Sequence, residues 1–156
     1  MRARTLLAGM VVLPLAAVAV ALYTQHRLDM LPCAWCVLQR LIFLVIAGLA
    51  LLGLLLPGLW LRRLAAGLAL LAAGAGIAAA LWQHFVASAS ASCDQSLADR
   101  VMALTGLDRR YPDVFTAWAS CADAKVTLLG LPYEFYSLSL FTALALAAVL
   151  VLARPR

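Results

Sequence analysis

The amino-acid sequence predicts an all-α integral membrane protein, a single domain built as a bundle of four transmembrane helices. Two observations support this fold class. The 156 residues are 66% hydrophobic and 12% charged, whereas soluble domains are roughly 45–50% apolar and about 25% charged. Four stretches approach the length of about 20 mainly apolar residues that a membrane-spanning helix needs. Much of the surface of this domain must therefore face lipid.

The predicted spans are rich in Leu, Ala and Val and cover about residues 5–23, 36–56, 64–86 and 133–153. Pro14 is expected to kink the first span. Pro57 and Gly58 end the second span. Pro132 precedes the fourth span, where the missing N–H of a proline costs no hydrogen bond. Glycines inside the spans predict close packing between helices.

The distribution of charge predicts the orientation. Six arginines and no acidic residue flank the spans at the two chain ends and in the turn between spans two and three: Arg2, Arg4, Arg62, Arg63, Arg154 and Arg156. The seven acidic residues lie in or beside the other two connections. The positive-inside rule then predicts cytoplasmic termini, with residues 24–35 and 87–132 as outer, periplasmic loops. A cleaved signal peptide is the alternative for the first span, although its apolar run exceeds the usual length of about 7–15 residues.

The net charge of +5 does not predict nucleic-acid binding. The basic residues are too few and too scattered to form a phosphate-binding face. They are better explained as determinants of membrane topology.

All four cysteines fall in the predicted outer loops or at their ends: Cys33, Cys36, Cys93 and Cys121. Cys33 and Cys36 form a C-x-x-C motif, which leaves Cys93 as the partner of Cys121. A structural disulfide suits the second pair, because it would staple a long loop. A bridge within C-x-x-C closes a loop too short to stabilise much, so this pair predicts redox activity. Two structural disulfides and a zinc site remain alternatives, although zinc usually takes two closely spaced cysteine pairs.

Arg40 strengthens the redox interpretation. Cys36 is expected near the N-terminus of the second helix, where the helix dipole stabilises a thiolate. Arg40 follows one turn later on the same face. Its charge would stabilise the Cys36 thiolate, and its N–H groups would donate hydrogen bonds to a quinone carbonyl. The alternative is an arginine that extends to the outer lipid headgroups.

These motifs together resemble a known family. The segment Leu31-Pro32-Cys33-Ala34-Trp35-Cys36-Val37-Leu38-Gln39-Arg40 is similar to the P-C-x-x-C-x-x-x-R signature of the disulfide bond formation protein B (DsbB) family. Further similar segments follow in the same order: Trp82-Gln83-His84, Ala91-Ser92-Cys93-Asp94, Ser120-Cys121 and Leu128-Leu129-Gly130-Leu131-Pro132. The resemblance covers roughly residues 10–150. It departs after Pro132, where Tyr133, Phe135 and Tyr136 replace a tryptophan that often follows the proline.

The resemblance implies an enzyme of the bacterial inner membrane. Members of this family reoxidise a periplasmic thioredoxin-like dithiol oxidase, DsbA, and reduce ubiquinone or menaquinone. By residue match, Arg40 would line the quinone pocket and His84 would lie near the quinone. A histidine at a membrane interface also often bonds only to water or headgroups, so the role of His84 stays open.

The resemblance also implies a role for each cysteine. Cys93 would accept the attack of the partner's thiolate and form a mixed disulfide, and Cys121 would be the other member of that pair. Cys33 would exchange with the outer pair, and Cys36 would be the thiolate next to the quinone. Two pairs are needed because a soluble partner cannot reach a quinone dissolved in lipid.

The second outer loop is predicted to contain short helices. Ser96 and Asp99 have the spacing of a capping box, and Gly106 is positioned to end the helix that follows. A second apolar patch follows Pro112 and comprises Val114, Phe115 and Trp118. We expect these helices to lie in the headgroup layer or to form a small packed cap over the bundle.

Two other function classes are alternatives. A vitamin K epoxide reductase-like enzyme also couples thiols to a quinone in four helices, but its quinone-side C-x-x-C lies late in the chain. A non-catalytic membrane protein with structural disulfides is the other alternative, and its bridges would resist mild thiol.

Overall fold

The computed structural model describes residues 3–90 and 95–153. In chain order its helices are α1 (Ala3–Arg27), α2 (Ala34–Leu55), α3 (Leu59–Phe85), α4 (Leu97–Thr105), α5 (Leu107–Arg110), α6 (Pro112–Phe115) and α7 (Tyr133–Ala153). A single turn of 3₁₀ helix follows α3 at Ala87–Ala89, and a two-stranded antiparallel ladder, β1 (Thr127–Leu128) and β2 (Leu131–Pro132), precedes α7. Helices α1, α2, α3 and α7 are long and apolar enough to cross a membrane, which confirms the predicted fold class.

Helices α1, α2 and α3 begin before the predicted spans, at Ala3, Ala34 and Leu59, whereas α7 has the predicted bounds. Helix α1 continues through Pro14 and four residues past residue 23, to Arg27. Hydropathy marks the part of a helix that needs lipid, whereas backbone hydrogen bonding continues through polar residues such as Thr24 and Gln25. Between α2 and α3, Gly58 has a φ of +124°, a conformation that residues with side chains rarely adopt. The orientation of the termini stays a prediction.

Helix α3 packs through small side chains. Apart from Gln83, its buried residues are all alanine or glycine: Ala65, Ala66, Ala69, Ala73, Gly76, Ala79 and Ala80. Phe141 of α7 lies directly over Gly76 and stacks on Phe43 of α2, with ring centroids 4.0 Å apart. Because lipid gives no hydrophobic drive for helices to associate, this close approach is what holds the bundle together.

The second outer loop begins with a capped helix. The Asp99 N–H donates to the Ser96 hydroxyl at 3.2 Å, and the Ser96 N–H donates to the Asp99 carboxylate at 2.8 Å. This confirms the predicted capping box. Gly106, with a φ of +65°, ends α4 as predicted.

The loop packs against the first turns of α2. Met102 of α4 and Phe115 of α6 are buried against Val37 of α2. In the second predicted patch, Phe115 is therefore buried, whereas Trp118 is 55% exposed. The position of these helices relative to the headgroup layer stays a prediction.

Candidate functional site

The C-x-x-C motif lies at the start of α2. Cys33 is the N-cap residue and Cys36 lies in the first turn of the helix. Their sulfur atoms are 3.3 Å apart, with both residues as free thiols. Cys33 is completely buried. Helix α2 thus begins within the motif, which places Cys36 close to the helix N-terminus.

The second outer loop brings Cys121 to this motif. The backbone N–H groups of Trp118 and Ala119 donate to the Pro32 carbonyl at 2.9 and 3.3 Å. The next residues form a turn, in which the Asp123 N–H donates to the Ser120 hydroxyl at 3.2 Å. These bonds hold Cys121 at hydrogen-bond distance from Cys33. Three cysteines from two loops therefore meet at one point.

The two contacting thiols differ in acidity. The hydrogen bond to Cys121 and burial raise the pKa of the Cys33 thiol to about 12, although the bond with Cys36 acts in the opposite direction. The hydrogen bond from Cys33 lowers the pKa of the Cys121 thiol, and the backbone N–H of Trp35 lowers it further, against the effect of burial. Cys121 is therefore the more acidic thiol of this pair and Cys33 the less acidic one.

Cys93 lies outside the described residues, and so does the rest of the Ala91-Ser92-Cys93-Asp94 segment. The predicted pairing of Cys93 with Cys121 stays a prediction.

A cavity of about 260 Å³ opens beside Cys36. Its walls come from α1, α2, α7, Gln83 of α3 and parts of both outer connections, and most of them are apolar. A smaller set of polar residues also lines it: Thr24, Cys36, Gln39, Arg40, Gln83, Tyr133, Glu134, Tyr136 and Ser137. Ligand pockets are mostly apolar clefts of about 300–1,000 Å³ with a few placed polar groups. The volume of this cavity is close to the lower end of that range. It suits a single ring with polar substituents.

Arg40 lines the same cavity as Cys36 but bonds to other partners. Its side chain is buried, and one guanidinium nitrogen donates to Gln25 Oε1 at 2.7 Å and to the Val114 carbonyl at 3.0 Å. Gln25 in turn donates to the Asp113 carbonyl at 3.0 Å. Arg40 and Gln25 thus tie α6 of the outer loop to the bundle. Sequence analysis assigned no role to Gln25, because its contacts depend on a loop that is distant in the chain.

His84 contacts Glu134 and does not belong to the described lining of the cavity. His84 Nδ1 and Glu134 Oε1 are 2.7 Å apart, and the histidine ring packs edge-on against Phe85 and Phe135. Glu134 is 8% exposed and does line the cavity. His84 therefore reaches the cavity only through Glu134, a residue that sequence analysis did not single out.

Gln39 and Gln83 also lie at the cavity. Gln83 donates to the Cys36 sulfur at 3.1 Å, and Gln39 donates to Gln83 at 2.7 Å. The sequence placed Gln83 in a family-like segment and Gln39 in the signature, but gave neither a role. Their contact joins α2 to α3, which the sequence alone does not show.

A four-span helical bundle that holds free thiols beside an internal cavity has the arrangement of a membrane-embedded thiol oxidoreductase. The model of the family described as "Disulfide bond formation protein DsbB" matches residues 3–151. A relative named disulfide bond formation protein B, from Dechloromonas aromatica, is 34% identical over 147 residues, covering 90% of this chain and 86% of its own. The protein of the same name from Escherichia coli K12 is 32% identical over 141 residues, covering 88% and 78%. The chain belongs to the DsbB family of oxidoreductases.

Proposed function

We propose that this protein generates disulfides on the periplasmic side of the bacterial inner membrane. It would reoxidise a DsbA-type dithiol oxidase and pass two electrons to ubiquinone or menaquinone. The observation that carries the proposal is the meeting of Cys33, Cys36 and Cys121, of which Cys36 lines the cavity. Membership of the DsbB family supports the same activity.

The first exchange takes place at the outer pair. A thiolate of the partner attacks Cys93 of a Cys93–Cys121 disulfide, and Cys121 leaves as a thiolate. The second thiol of the partner then displaces Cys93, so the partner is oxidised and the outer pair is reduced by two electrons. Exchange is faster when the leaving thiol has a low pKa. The backbone N–H of Trp35 favours the thiolate of Cys121 in this way.

The second exchange moves the electrons to the membrane edge. The Cys121 thiolate attacks Cys33 of a Cys33–Cys36 disulfide, and Cys36 leaves as a thiolate. Cys93 then attacks Cys121, which restores the outer disulfide and leaves Cys33 and Cys36 reduced. The packing of Cys121 against Cys33 supports this order, because it brings the two reacting sulfurs together.

The cavity fits a quinone ring. When bound, a quinone supplies an acceptor for the two electrons and two protons released as the Cys33–Cys36 disulfide reforms. Arg40 has five N–H donors, of which those on one nitrogen are engaged with Gln25 and Val114, so the others remain for a carbonyl oxygen. Glu134, with His84 behind it, lines the opposite wall on α7. The apolar walls exclude water from the reduced sulfur.

Quinone reduction by the purified protein, supplied with a reduced DsbA-type partner, tests the proposal. We expect turnover in wild type and none in the Cys33→Ala variant, because the link between the two pairs is cut. Ser139→Ala is the matched control, since its hydroxyl bonds only to the Phe135 carbonyl of its own helix. Full turnover in Cys33→Ala would exclude the relay. Absent turnover in wild type, with disulfides that resist mild thiol, would favour structural bridges.

A further inference from the structure

Two buried glutamines connect α3 to the sulfur of Cys36. Gln39 Nε2 donates to Gln83 Oε1 at 2.7 Å, and Gln83 Nε2 donates to Cys36 Sγ at 3.1 Å. Gln39 is 4% exposed and Gln83 is 6% exposed. A buried amide costs free energy unless it is hydrogen-bonded, and in the apolar layer the partner must come from the protein. Here the partner of one amide is a reacting atom.

In the structure the two bonds run in one direction, from Gln39 through Gln83 to Cys36. An amide has one oxygen that accepts and one nitrogen that donates. Because Gln39 donates to the oxygen of Gln83, the nitrogen of Gln83 is the end that faces Cys36. A donor aimed at the sulfur stabilises the thiolate more than the thiol, since hydrogen bonds to charged acceptors are the stronger ones.

Arg40 does not make this contact. Its hydrogen bonds go to Gln25 and to the Val114 carbonyl, so its charge acts on Cys36 through space. A neutral amide also suits a sulfur that alternates between a charged thiolate and a neutral disulfide. Once Cys36 enters a disulfide, a cation at the same place would be left unpaired in a poorly solvated site, whereas an amide would not.

We propose that Gln83 is a catalytic residue that stabilises the Cys36 thiolate, and that Gln39 is a positioning residue that orients the Gln83 amide. The inference rests on the proposed function. In the step concerned, Cys36 has already released its proton and the Cys33 S–H bond breaks. The Cys33–Cys36 bond forms, and a bound quinone would accept the two electrons together with the Cys33 proton and the proton that Cys36 released earlier. Gln83 holds the negative charge on Cys36 until the electrons leave.

Three substitutions separate the two roles. Gln83→Glu keeps the volume and an acceptor for Gln39, and in its ionised form it has no donor for the sulfur. Gln83→Met removes both bonds at similar volume. Gln39→Met leaves the Gln83 amide in place but free to rotate. Ser139→Ala again serves as the control.

The readout is the thiolate itself. In a protein that keeps Cys36 as its only cysteine, thiolate absorbance in the ultraviolet and the rate of alkylation by iodoacetamide both report the charged sulfur. We expect both Gln83 variants to lower the alkylation rate at pH 8 by about tenfold or more, as for loss of a hydrogen bond to a charged group. Gln39→Met should give a smaller loss. In the four-cysteine protein, kcat should fall with little change in KM.

The outcomes distinguish this inference from the proposed function. If wild type turns over quinone but Gln83→Glu and Gln83→Met alkylate like wild type, Gln83 has no catalytic role and the relay stands. If wild type does not turn over quinone, the proposed function fails, and the alkylation rates alone show whether Gln83 stabilises the thiolate. Should one Gln83 variant fail to fold by circular dichroism, the other variant and Gln39→Met still decide the question.

Discussion

Replacing Gly76 with alanine tests whether the small-residue face of α3 sets the distance to α7. An alanine Cβ at this position would lie 2.6 Å from Cζ of Phe141, and still closer to two other atoms of the ring. Carbon atoms that are not bonded prefer separations of about 3.5–4.0 Å. The ring of Phe141 would therefore have to move by roughly 1 Å.

The surroundings of Phe141 oppose that movement. The ring is completely buried and stacks on Phe43 with an interplanar angle of 8°. Overfilling a packed core costs about 1–3 kcal/mol. We expect Gly76→Ala to lower the free energy of unfolding by about 2 kcal/mol, since a rigid ring must be displaced.

Reversible unfolding by SDS in mixed micelles, followed by circular dichroism, measures this loss. Gly74→Ala is the matched control, because it lies on the same helix and its added Cβ meets nothing within 4 Å. We expect the control to stay within about 0.5 kcal/mol of wild type. Phe141→Leu in the Gly76→Ala background should recover part of the loss. If the two alanine variants are equally stable, the packing argument is wrong.

Three further predictions follow from particular contacts. Cys121→Ala removes the hydrogen bond that is the main cause of the raised pKa of Cys33, about 12. A larger fraction of Cys33 is then thiolate at pH 9, so Cys33 should be alkylated faster. The rate is measured in a background without Cys36 and Cys93. An unchanged rate would show that the hydrogen bond does not control its acidity. Ser96→Ala removes the cap of α4 and should cost about 1 kcal/mol in local stability, measured by hydrogen exchange of that helix. Glu134→Leu removes the partner of His84 from the cavity wall, so KM for the quinone should rise while KM for the protein partner does not. Equal changes in both values would contradict a role in the cavity.

Local features could be predicted from the sequence. The capping box of Ser96 and Asp99 and the end of α4 at Gly106 depend on residues within one short segment. The four spans could be predicted for a similar reason, since each apolar run must be buried in lipid whatever its neighbours are.

The polar contacts of the cavity could not be predicted in this way. Gln83 and Cys36 are 47 residues apart in the chain, and their contact depends on how α2 and α3 pack. Successive residues of a helix point about 100° apart. Gln83 therefore faces Cys36 while His84, the next residue, faces Glu134 on α7. The segment Trp82-Gln83-His84 indicated which turn of α3 lies at the cavity. Only the packing of the helices shows which side chain of that turn lines it.

The cavity has one wall that faces the surroundings of the bundle. Val20 of α1 lines the cavity and is also 54% exposed, on a helix that crosses the membrane. A ligand can thus enter sideways from the bilayer. Its occupancy will follow its mole fraction in the lipid rather than its concentration in water. While most of the inhibitor stays in water, two inhibitors with equal affinity for the cavity will differ in potency by the ratio of their partition coefficients. Once most of it is in the lipid, adding more lipid at constant inhibitor will weaken both.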